Sequence, residues 1–218
     1  MAPSFLVVVQ VFLSDLSSIA SIVFGMPRPD RSRAALVESA ALLFRRQGYA
    51  ATGVNQILET ADVKAGSLYH HFPDGKAELA AAVVDGVGGD ITRLLRTFLS
   101  SDASPSDIVC RWIDLLADGL QGDQRDGCPI EPIATESVHA SPVVRAASAR
   151  AFEGWCAAVA ERLTADGWSS DTAMRTAQAV IALIEGSLIL SRIAGDRAAL
   201  DAAKGAARTL LKQAPTGS

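Results

Sequence analysis

Residues 52 to 76 read T-G-V-N-Q-I-L-E-T-A-D-V-K-A-G-S-L-Y-H-H-F-P-D-G-K, and this stretch decides the fold. Thr52 can cap a first helix in which Val54, Ile57 and Leu58 fall at i, i+3 and i+4 on an inward face, leaving Asn55, Gln56 and Glu59 outside. That helix is expected to end near Thr60. After Ala61-Asp62-Val63 a second helix runs from Lys64 to His71 and buries Leu68 and Phe72, four residues apart. Lys64, Ser67, Tyr69 and His70 are then left facing out. Pro73 biases Phe72 away from helical angles, so a third helix should begin near Asp74, whose carboxylate suits a helix N-terminus. Two short helices at a tight turn, the second rich in exposed hydrogen-bonding groups, form the outline of a helix-turn-helix that reads DNA.

The run G-S-L-Y-H-H-F at Gly66 to Phe72, with Gly48-Tyr49 before it and Lys76 after it, closely resembles the DNA-binding domain of TetR-type transcriptional repressors. The stretch G-C-P-I-E-P-I-A-T-E at Gly127 to Glu136 is similar to the LmrA/YxaF-like branch, so the two motifs anchor roughly residues 31–212. The resemblance implies that Lys64 and Ser67 face base edges and that Thr52, Tyr69 and Lys76 bind phosphate oxygens. With Ala65 and His70 these make the expected DNA-contacting set. The chemistry fits: Lys and Ser donate to major-groove acceptors, and a Tyr hydroxyl reaches a phosphate from a short helix. Gly53 departs from the pattern, since many members carry Ser or Thr there, and it offers only close backbone approach. Tyr69 and His71 could instead line the core beneath the helix, which for His71 is the better reading, and outside this motif Lys64 and Lys76 would be ordinary solvated charges.

Composition sets wider bounds. A chain of 218 residues, 49% of them hydrophobic, can bury a real core, and its net charge of −4 is unusual for a DNA binder, whose affinity rests on neutralising phosphates. The charge is unevenly spread: between Arg28 and Arg46 five arginines stand against Asp30 and Glu38, which allows a local positive face. Residues 1–26 are apolar with no Lys or Arg, and satisfy neither the secretory-signal pattern nor the span rule well. Met26 precedes P-R-P-D-R-S-R, so residues 1–26 are expected to be a non-native or disordered extension, with 213–218 a disordered tail.

The expected fold class is all-α: a three-helix helix-turn-helix domain at 27–75, then a helical ligand-binding and dimerisation domain at 76–212. Asp30 or Ser32 can cap a supporting helix through Gln47 with Leu36, Ala40, Leu43 and Phe44 buried. The run from Ala77 to about Leu99 should be helical with a kink or break at Gly86, Gly88 and Gly89. Ser104-Pro105 and Ser141-Pro142 start helices to about Gly122 and Asp166, and Asp171 and Asp196 can open the last two. Val180 to Leu190, V-I-A-L-I-E-G-S-L-I-L, is apolar around most of its circumference and must be covered on both sides. A second copy is the favoured cover, through Val180, Leu183, Ile184, Ser187 and Leu188; a central core helix is the other reading.

For a lipophilic effector the lining candidates are Phe98, Trp112, Cys128, Ile130, Ile133, Phe152 and Trp155, with Cys110 and Cys156 nearby, and each could equally be core. Glu136 and His139 read as solvated surface. Three cysteines without a C-x-x-C pair fit reduced thiols, and no G-x-S-x-G, phosphate loop or H-E-x-x-H supports an enzyme, a metal or a cofactor. The favoured function is a cytoplasmic homodimeric repressor on double-stranded DNA with a palindromic operator, released by a small molecule, with no membrane partner. The alternative is a dimeric small-molecule-binding or enzymatic helical protein whose helix-turn-helix is vestigial.

Overall fold

In the computed structural model, which describes residues 28–122, 127–137 and 139–212, every regular element is a helix. The expected extension at 1–26 and the tail at 213–218 lie outside the described residues. The elements are α1 (Arg28–Gln47), α2 (Val54–Ala61), α3 (Ala65–His71), α4 (Lys76–Leu99), α5 (Pro105–Gly122), α6 (Glu131–Ser137), α7 (Pro142–Ala165), α8 (Ser170–Ala194) and α9 (Ala198–Lys212).

The N-terminal unit forms because α1, α2 and α3 each offer one apolar face to a shared centre. Leu36, Ala40, Leu43 and Phe44 of α1 are buried with Ile57 and Leu58 of α2 and with Leu68 and Phe72, as the spacing predicts. Helix α1 already runs from Arg28, upstream of both Asp30 and Ser32. Gly53 rather than Thr52 caps α2, without a side-chain bond. Thr52 is instead buried: its hydroxyl donates to the Gly48 carbonyl (2.7 Å) and accepts from Gln47 Nε2 (3.2 Å), closing the loop onto the end of α1. Asp62 ends α2 in the left-handed region, at φ 51°.

Helix α4 starts at Lys76, two residues beyond Asp74, because the Glu78 carboxylate reaches back to the Asp74 amide (3.0 Å) and Gly75 supplies the turn at φ 67°. It runs unbroken for 24 residues, so no break falls at its glycines. Packing overrides the poor helix propensity of Gly88: a Cβ there would lie 2.6 Å from Ala151 Cβ, and this near contact lets α7 lie along α4. The Trp155 indole donates to the Gly88 carbonyl (3.1 Å), and Arg150 with Asp85 and Arg96 with Glu161 pair along the same seam. Helix α8 lies along α7 and α9, and α9 along α5, where Lys204 pairs with Asp114 (2.6 Å).

Ser141 caps α7 by accepting from the Val144 amide (3.4 Å), and Ser104 caps α5 by accepting from Asp107 (3.1 Å). Ser169, ahead of Asp171, caps α8. Helix α8 is long and apolar enough by composition to cross a membrane, but here it is an element of the helical bundle. Helix α6 has no counterpart in the sequence reading. It touches both α1 and α7 and so bridges the N-terminal unit and the bundle.

Candidate nucleic-acid interface and effector cavity

Helix α3 is anchored from beneath by Leu68, 1% exposed, and by Phe72, whose ring also lies 5.3 Å under the Arg33 guanidinium. With that face fixed, Lys64, Ala65, Gly66, Tyr69 and His70 are exposed and Ser67 is half-buried. Lys64 stands at the N-cap, and its carbonyl accepts from the Ser67 amide (2.9 Å). Tyr69 is 56% exposed, an outward ring with no core role. His71 is half-buried, its ring edge-on to His70 (4.9 Å between centroids) and beside Phe72. The outward surface therefore carries an ammonium, a hydroxyl, a phenol and an imidazole within two helical turns, a set of donors able to address base edges and phosphates.

Two expected phosphate contacts sit differently. The Thr52 hydroxyl is 1% exposed and engaged with Gly48 and Gln47, so in this form it has no route to a phosphate. Lys76 lies with its Nζ 4.2 Å over the Tyr49 ring; burial pulls its ammonium below the usual range, and the nearby Glu136 carboxylate partly offsets this.

Glu136 is exposed, as expected, and the structure also gives it a partner 86 residues away: its Oε2 accepts from the Ala50 amide (2.5 Å). Gly48, at φ 87°, lies under the same carboxylate, where an added Cβ would meet Oε1 at 2.5 Å. Glu136 of α6 thus holds the turn between α1 and α2. The Gly48-Tyr49 pair was legible in sequence; its partner was not, because the pairing is tertiary.

Within the bundle two small cavities adjoin. The larger, about 40 Å³, lies among Leu116, Cys128, Trp155, Glu185 and Leu188. The smaller, about 20 Å³, lies among Phe98, Ile108, Val109, Val159 and Val180. Leu95, Trp112, Ile181 and Ile184 line both. Phe98, Trp112, Cys128 and Trp155 of the expected lining are therefore brought together. Ile130 and Ile133 are instead fully buried core, and Phe152 packs edge-on against Trp155 (4.9 Å) without lining either cavity.

The expected dimer residues need the opposite correction. Val180, Ile184, Ser187 and Leu188 are at most 5% exposed within one protomer, and Val180, Ile184 and Leu188 line the cavities. Leu183 is half-buried. The exposed apolar side chains of α8 are Met174, Ile189, Leu190 and Ile193, with Leu210 on α9. The helix is covered on one face by its own chain and bare on the other.

Sequence reasoning also missed Glu185, although it is the one charged residue in the run Val180 to Leu190. Burial pushes its carboxyl up to about 7, the Cys128 thiol opposes that shift through a hydrogen bond, and Glu131 adds to it. Burial first, and Glu185 second, hold the Cys128 thiol well above its usual range, so this is not a reactive thiolate.

The sequence matches two family models: residues 36–83 the one described as bacterial regulatory proteins, tetR family, and residues 105–206 the one described as transcriptional regulator LmrA/YxaF-like, C-terminal domain. Among similar proteins is the HTH-type transcriptional regulator YxaF of Bacillus subtilis, 31% identical over 78% of this chain and 89% of its own length. Another is LmrA of the same organism, 30% identical over 73% of this chain and 86% of its own length. The reduced form of Escherichia coli NemR shares the fold at 20% identity, with a TM-score of 0.73 over 85% of this chain and all of that one.

Proposed function

Because the chain belongs to the TetR family of bacterial transcriptional regulators, in its LmrA/YxaF-like branch, we propose that it is a cytoplasmic homodimeric repressor of an inverted-repeat operator. The family and these relatives are regulators, not enzymes. The observation that carries the reading is the outward face of α3, where Lys64, Tyr69 and His70 stand clear of a buried Leu68. Residues 27–75 form the reading domain, and 76–212 the domain that binds a small lipophilic effector and the second copy.

The exposed Met174, Ile189, Leu190 and Ile193 support pairing through α8, and Leu210 of α9 is exposed as well. Two-fold pairing sets the α3 helices about 34–36 Å apart or at a multiple of that, which demands an inverted repeat. Effector control has a physical route. The cavities are too small for a lipophilic ligand, which needs at least about 300 Å³ of pocket, so entry must displace the surrounding helices. Cys128 lies three residues before α6, which carries Glu136 and its bond to Ala50, so displacement at the cavity reaches the turn that sets α2 and α3. Differential binding of a few kcal/mol between two forms is sufficient to release the operator.

Selection of duplexes from a random pool by the purified protein tests this reading. An enriched inverted repeat is expected; enrichment of nothing, as a vestigial helix-turn-helix requires, contradicts it.

A further inference from the structure

Packing alone accounts for the apolar walls of the two cavities but not for the carboxyl set into them. Glu185 Oε2 is buried with no hydrogen-bond partner, which is destabilising for any polar oxygen and more so for a charged one. Among the described residues, the groups that bear on this carboxyl are the neutral Cys128 thiol, which donates to it, and the Glu131 carboxylate, which repels its charge; neither supplies a positive charge, so its surroundings call for a cation rather than a second anion. Leu95, Trp112, Ile181 and Ile184 wall the cavity of Glu185 from the second, which reaches Phe98, whose ring stands edge-on to Trp112 at 5.9 Å. Joined across that wall, the two make one track, acidic at one end and hydrocarbon at the other, with Trp112 and Trp155 in its lining.

We infer that this track is the effector site of a lipophilic amine, with the ammonium on Glu185 Oε2 beside Cys128 and the hydrocarbon body lying past Trp112 toward Phe98. The inference rests on the effector-controlled reading above and adds the chemical class of the effector. A neutral lipophile leaves the carboxyl unpaired, and an anionic one meets like charge. The ligand must part Leu95 and Trp112 from Ile181 and Ile184, since these side chains divide the track.

Three probes sharing one hydrocarbon separate the cases: phenylbutylamine, phenylbutanol and phenylbutyrate. Each is titrated into the full-length protein and followed by tryptophan fluorescence, since Trp112 and Trp155 line the track. On the wild type the amine is expected to bind at least about tenfold more tightly than the alcohol, with the carboxylate weakest. In Glu185→Gln, which keeps the shape, the amine should fall to the level of the alcohol while the alcohol changes less than about twofold. The inference is overturned if none of the three binds saturably, if the alcohol or carboxylate matches the amine on the wild type, or if the amine keeps its advantage in Glu185→Gln. The wild-type ranking decides even if the variant does not fold. A gel shift on the selected repeat, run beside these titrations, keeps the two claims apart. Specific DNA binding without amine preference sinks only the effector class, whereas amine preference without specific DNA binding sinks the repressor reading.

Discussion

Glu185 shows how one misplaced charge can set a pH dependence. Its carboxyl titrates near 7 in the fold against an ordinary 4.5, so between these values the folded protein holds a proton that the unfolded chain releases. Stability must therefore fall as pH rises through that window, by up to about 3 kcal/mol once Glu185 is fully ionised. Glu185→Gln should melt at a higher temperature than the wild type at pH ~8 and show no such gain at pH ~4. Calorimetry across that range checks this, and an offset that does not vary with pH contradicts it. Residues whose placement follows from a single helix register, such as Lys64 and Tyr69, were legible in the sequence because Leu68 and Phe72 fix that register. Thr52 was not. Its hydroxyl had two local choices, the cap of α2 ahead of it and the end of α1 behind it, and only the folded chain shows that the second wins.

Helix starts at Ser104-Pro105 and Ser141-Pro142 were readable because capping is local chemistry, and α6 was not, because seven residues containing Pro132 carry too little periodicity. The unbroken run of α4 through its glycines was not legible for a related reason: propensity is local, whereas the need for Gly88 lies on α7. Gly86 is exposed with open space at its Cβ position, so Gly86→Ala should stabilise by up to about 1 kcal/mol. Gly88→Ala should destabilise by about 1–3 kcal/mol in spite of the same propensity gain, because it forces α4 from α7. Urea denaturation of the pair checks both signs, and equal effects would remove the packing account. At the junction of α1 and α6, Gly48→Ala carries two penalties, its positive φ and the collision with Glu136. Adding Glu136→Ala should return the collision part and leave about 1–2 kcal/mol of backbone strain. A double-mutant cycle with no coupling between the two would break the assigned contact.

At the scale of the molecule, the run Val180 to Leu190 implied that α8 needs cover on both sides but not which residues would face which partner. The apolar residues nearest the sequence centre went to the protomer's own core, and those toward the C-terminal end, Ile189, Leu190 and Ile193, were left outside. Leu190→Glu with Ile193→Glu should leave the fold intact, since both side chains are exposed, while sedimentation shows monomers and binding to the selected repeat is lost. A dimer that survives both charges moves the interface elsewhere. The acidic chain around a basic α1 further limits attraction to arbitrary DNA, so discrimination must come from α3. The most direct measurement compares wild type and Lys64→Ala on the selected inverted repeat and on a scrambled duplex of equal length at one salt concentration. The repeat should be bound about 10- to 100-fold more weakly by the variant, with the scrambled duplex nearly unchanged. Equal losses on both duplexes, or no loss on either, would contradict sequence reading by this helix.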